Sequence, residues 1–160
     1  DLSETPENKG ELLRVRATVS LLCNQSWTAE YCFRAFRFYR PDQEFNPFEL
    51  ITNANRTNKI PTAIGFFQAA HFRDRSDLSV VKALAASYMA GGQVENAITL
   101  LRNTVDRNPE DASLRLAYAD VLFANKQYAE AFEQYDEHLI LNPESPFRSD
   151  ILHKKATTRY

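Results

Sequence analysis

Residues 78–111, LSVVKALAASYMAGGQVENAITLLRNTVDRNPED, and residues 112–145, ASLRLAYADVLFANKQYAEAFEQYDEHLILNPES, decide the fold. They are equal in length, follow one another directly and share one frame when laid one on the other. Asn108-Pro109 falls on Asn142-Pro143, Ala85 on Ala119, Ala97 on Ala131 and Leu101 on Tyr135. The turn Gly91-Gly92-Gln93 falls on Asn125-Lys126-Gln127. Carried backwards by the same period, Ala97 lands on Ala63 and Ala29, and Leu101 on Phe67 and Phe33, with no insertion. The frame also misses: Pro109 lands on Arg75 before it reaches Pro41, and Ala85 on Ile51 before Ala17. A fixed period of this length marks an array of supersecondary units that bury their apolar faces by stacking.

Local signals give the same units. Leu78, Val81, Leu84, Ala85 and Tyr88 recur at helical spacing, as do Ala97, Leu100, Leu101 and Thr104. Asp77 and Asp111 stand at N-cap positions. Pro61 suits the first turn of a helix after the Asn58-Lys59 turn, and Gly91-Gly92 ends one. An alanine in the second helix lets the first approach closely, and the bulky residue one turn later fills the space beside it. The closing proline cannot continue the helix.

This spacing resembles the tetratricopeptide repeat family. The resemblance implies an all-α chain, a right-handed α-solenoid of four 34-residue helix-turn-helix repeats plus a C-terminal capping helix. The repeats would run 10–43, 44–77, 78–111 and 112–145, after a polar lead-in at 1–9 and before a cap at 146–160. The last two repeats follow the pattern closely; repeat 1 has Arg16 at an apolar position and repeat 2 lacks the closing proline. In the cap, Ile151, Leu152 and Ala156 are expected to face inward.

Composition excludes several function classes. The chain has 160 residues, 44% hydrophobic and 25% charged, with a formal net charge of −2. That balance is of an ordinary globular domain, and it lacks the concentrated positive field that nucleic acid would call for. No apolar run nears the roughly 18 residues of a membrane span, so no direct membrane insertion is expected. The compartment stays open between cytoplasm and periplasm. No leader-like stretch opens at Asp1, which leans toward the cytoplasm, and a start without Met fits a processed protein or a segment of a longer one.

No catalytic, metal or cofactor motif is present in the sequence. Cys23 and Cys32 are read as buried thiols, with a disulfide as the alternative. Glu130, Glu133, Asp136 and Glu137 lie at helical spacing and read as a solvated acidic face. His138 stands at a repeat position that is usually Ala and reads as a seam residue. Arg34, Arg37 and Arg40 form a basic stripe, read as solvated or as a dock for an acidic partner. Two glycosylation-type triplets, at Asn24 and Asn55, are too short to weigh. Eleven aromatic residues fall between Trp27 and Phe72. They are read as filling the first two repeats, with an exposed docking patch as the alternative.

The resemblance further implies that the first helix of each repeat lines a concave groove that holds another protein or peptide, without catalysis or cofactor. Groove positions include Arg14 and Thr18 in repeat 1, Phe45, Phe48, Thr52 and Asn55 in repeat 2, Lys82 and Met89 in repeat 3, and Leu116, Asp120 and Phe123 in repeat 4. The clamp that some members use for a C-terminal carboxylate is incomplete, because Thr18, Thr52 and Ala86 replace its other polar ligands beside Arg14 and Lys82. The expected partner is therefore a helical or extended segment with an apolar strip. Two other roles fit the same fold: a structural region of a bacterial cell-envelope secretion or polysaccharide-export protein, and a regulatory domain for an enzyme or transcription factor in the same chain. Any homodimer is expected through the less clearly capped N-terminal repeats.

Overall fold

The computed structural model describes residues 47–158, with side chains from Leu50 onward. The lead-in, the first repeat with Arg14 and Thr18, both cysteines, the arginine stripe, Asn24, the N-terminal dimer surface and Phe45 lie outside the described residues. Seven helices and no strand occur among those described: α1 (Pro47–Arg56), α2 (Ile60–Arg73), α3 (Leu78–Ala90), α4 (Val94–Val105), α5 (Ala112–Ala124), α6 (Tyr128–Leu141) and α7 (Arg148–Thr157). The chain is all-α. It divides into two compact units, Asp1–Gly91 and Gly92–Tyr160.

In the first unit α1 packs on α2 and α3, and α2 on α3. Pro61 stands in the first turn of α2. The Asp77 carboxylate accepts from the Ser79 and Val80 amides at 3.0 and 3.3 Å and so caps α3. Leu50, Ala54, Ala63, Phe66, Phe67, Val81 and Leu84 form the core. The Phe66 and Phe67 rings meet edge to face at 5.0 Å. These two aromatics therefore fill the interior, whereas Phe72 is 76% exposed at the end of α2. Gly91 closes α3 where a Cβ would come within 2.9 Å of Ile64 Cδ1.

In the second unit α5 packs on α4 and α6, and α7 adds to α6. The Asp111 carboxylate caps α5 by accepting from the Leu114 amide at 2.7 Å. Ala97 and Ala131 are fully buried, and so are Leu101 and Tyr135 one turn later. Ala63 and Phe67 repeat that arrangement in the first unit. The small residue admits the neighbouring helix and the bulky one fills the space beside it.

One backbone feature recurs with the period. Asn58 (φ 55°), Gly92 (φ 72°) and Lys126 (φ 62°), each one repeat after the last, all adopt the left-handed conformation. This lets the Lys59 amide reach the Ala54 carbonyl at 2.7 Å, and the Gln127 amide the Leu122 carbonyl at 3.0 Å. Each bond closes the end of a first helix and turns the chain back.

The C-terminal helix differs from expectation in its facing. Ile151 is buried, but Leu152 is 50% exposed and Ala156 is exposed. Apolar spacing identifies which positions a neighbour can cover. It does not supply the neighbour.

Candidate functional site

The helix-pair geometry places the groove positions of the second unit on α5. Leu116 is half-buried and Asp120 exposed, and both line a cavity of about 280 Å³. Its other walls are Phe147, Asp150, Ile151, His153 and Lys154, from α7 and the residue before it. Phe147, Asp150 and Lys154 stand one repeat period after Ser113, Leu116 and Asp120. The cavity thus lies where two successive first helices present equivalent positions. Its apolar walls are Leu116, Phe147 and Ile151, and its rim carries both charge signs.

Three side chains are locked beside it. The Tyr135 hydroxyl donates to Asp120 Oδ1 at 2.5 Å. Lys154 Nζ donates to the same carboxylate oxygen at 2.7 Å and to the Tyr135 oxygen at 2.9 Å. Burial first, then the bond to Asp120 and its charge, push the Tyr135 hydroxyl pKa far above the usual phenol value. The Lys154 ammonium also sits 5.3 Å from the Phe123 ring centroid and 5.1 Å from that of Tyr135. Asp120 therefore presents a carboxylate already paired, and its partner groups fix its orientation.

Phe123 is half-buried and belongs to an aromatic cluster. Its ring lies 5.2 Å from Tyr128, 6.4 Å from Phe132 and 6.4 Å from Tyr135. Much of its surface is thus committed to the fold. In the first unit Thr52 and Asn55 are exposed on α1, and Lys82 and Met89 are half-buried on α3. Phe48 lies in α1, ahead of the described side chains. The structure gathers Leu116 and Asp120 into one cavity. It adds Phe147, Asp150 and Lys154, which the sequence reading missed; one more step of the period from Ser113, Leu116 and Asp120 finds all three.

The acidic face of α6 is less solvated than its spacing implies. Glu130 is half-buried and accepts from the Tyr118 hydroxyl at 2.9 Å, and Arg102 Nη2 donates to it at 3.3 Å. Arg102 Nε also donates to the Tyr118 oxygen at 3.0 Å, so the triad links α4, α5 and α6. Burial, with the bond to Glu130, raises the Tyr118 pKa against the opposing pull of Arg102. Asp136 pairs with Lys155 at 2.5 Å, while Glu133 and Glu137 are exposed. His138 packs at a seam. It is buried, with Nδ1 2.6 Å from the Ala112 carbonyl and Nε2 2.8 Å from Ser145 Oγ. The carbonyl can only accept, so Nδ1 carries a hydrogen.

Among the described residues no group of three or more His, Cys, Asp or Glu could hold a metal ion, and no helix is long and apolar enough to cross a membrane.

Comparison with known proteins bears on residues 82–146, which match the family model for the tetratricopeptide repeat. Among solved structures, a tetratricopeptide repeat protein from Parabacteroides merdae superposes with a TM-score of 0.57 at 18% identity over 93% of this chain. The chain spans 61% of that protein's length. A MamA mutant superposes with a TM-score of 0.52 at 13% identity, covering 96% of this chain and 87% of the other. No curated protein matches.

Proposed function

We propose that the chain is a non-catalytic tetratricopeptide repeat scaffold gripping a helical or extended segment of another protein along its first helices, a reading that rests on the family match of residues 82–146. Such repeats serve in general as protein-interaction scaffolds. What supports a grip on the first helices is the cavity shared by Leu116 and Asp120 of α5 with Phe147, Asp150 and Lys154. A volume near 280 Å³ suits one apolar side chain rather than a whole small ligand. Leu116, Phe147 and Ile151 would receive that side chain. Asp150 and the fixed Asp120–Lys154 pair would set the orientation of polar groups beside it.

Affinity capture with the intact chain, followed by mass spectrometry, identifies the segment. The Leu116→Ala/Phe147→Ala double variant should then bind it at least tenfold more weakly while its helical circular dichroism persists. Equal affinity of variant and parent would overturn the reading.

A further inference from the structure

The cavity beside α5 exists only while α7 is seated. Leu116 and Asp120 of α5 form one side, and Phe147, Asp150, Ile151, His153 and Lys154 form the other. Whatever holds α7 in place therefore assembles the cavity.

The hold on α7 differs from that on the other helices of its unit. α4, α5 and α6 each bury several residues, whereas α7 buries only Ile151. α7 packs on α6 more sparsely than any other described pair of helices packs, and it does not pack on α5. Two long side chains supply the remaining contact. Lys154 reaches across to α5, with Nζ 2.7 Å from Asp120 Oδ1, and lies against the Phe123 and Tyr135 rings. Lys155 Nζ donates to both carboxylate oxygens of Asp136 on α6, at 2.5 and 2.7 Å, and stands 5.8 Å from the Phe132 ring centroid. Each clamp sets one ammonium against one carboxylate and an aromatic face.

Both clamps are open to screening. The side chains of Asp120 and Asp136 are 48% and 57% exposed, so dissolved ions reach each pair. The burial of Ile151 is not weakened in this way. The root of α7 is fixed, because Ser145 is buried with its Oγ 2.8 Å from His138 Nε2. α5 and α6 pack more extensively than any other described pair, so α7 can open locally while they stay together.

We propose that α7 is a salt-sensitive latch: Lys154 and Lys155 hold it closed, and closing it assembles the cavity. Occupancy of the cavity and closure of α7 then favour each other. This coupling rests on the proposed scaffold function, whereas the latch acts in the chain alone. Lys155 is a positioning residue, since it does not line the cavity.

Hydrogen exchange on the whole chain, followed by mass spectrometry, tests the latch without a partner. Between about 0.01 M and about 1 M NaCl the screening length falls from roughly 30 to 3 Å. Amides of residues 152–157 should then exchange at least tenfold faster, with those of α5 and α6 unchanged. Lys154→Gln/Lys155→Gln should exchange fast in α7 at both salt concentrations. Lys155→Gln alone should show part of this effect, and Lys155→Arg should restore protection. The segment returned by affinity capture, at about a hundred times its Kd, should slow exchange in α7 about a hundredfold. Protection of α7 that ignores salt and the double replacement would overturn the latch. So would its loss together with that of α5 and α6, which would make the three helices one cooperative unit. If α7 opens as expected but the segment does not slow it, the coupling falls with the scaffold reading and the latch stands.

Discussion

Lys126 shows how a period constrains single residues. Three turns take the left-handed conformation at equivalent places, and Asn, Gly and Lys fill them. Glycine has no Cβ to clash there and asparagine tolerates the region, but lysine bears a cost of about 1–2 kcal/mol. Glycine also returns part of that gain through the greater freedom of its unfolded chain. Lys126→Gly should therefore raise stability by about 0.5–1 kcal/mol, read from the urea midpoint at unchanged slope. A neutral or destabilising result would mean that the aliphatic stem of Lys126 offsets the strain. The sequence aligned this turn with Gly91-Gly92 but could not show that the lysine keeps the glycine's backbone shape. Alignment transfers a position, whereas a dihedral depends on the bonds closing around it.

Among elements, the caps were the most legible feature. Asp77 and Asp111 sit one residue before apolar runs, and both carboxylates accept amides of the first turn. Asp111→Ala should cost about 1 kcal/mol, because α5 would lose the acceptor for an otherwise orphaned amide. Chemical denaturation measures this directly, with Asp111→Asn expected to retain most of the stability. The candidate site was legible only in part. Leu116 and Asp120 were found by counting along a repeat, and Phe147, Asp150 and Lys154 were missed because counting stopped at Ser145. Leu152 was misread for the converse reason: its spacing matched a core position, but burial also requires a neighbouring helix. Glu130 looked like solvated surface because its partners, Arg102 and Tyr118, are remote in sequence.

Across the molecule, the two raised tyrosines fall in one unit. Tyr118 and Tyr135 both hold their protons more tightly when folded than a free phenol, whose pKa is about 10. The folded state thus binds more protons than the unfolded one above that pH. Their contribution is complete below about pH 10 and declines as pH rises beyond it. Urea midpoints followed by circular dichroism should fall between pH 9 and pH 11 (about one unit to either side of the free-phenol value), and the Tyr118→Phe/Tyr135→Phe variant should show a shallower fall. Equal slopes would show that neither proton is linked to folding. The losses should concentrate in the Gly92–Tyr160 unit, since both hydroxyls lie there.

The Asp120–Lys154 pair has a consequence for how such a chain can grow. These two residues are the same position of successive first helices, and one bears the countercharge of the other. Tandem duplication of residues 112–145 would set a second aspartate where the lysine now answers the first. Like charge would face like at the new junction. Lengthening the array by copying this repeat is therefore penalised until one of the paired sites mutates, and the salt bridge acts as a punctuation mark in the gene's own grammar of repeats.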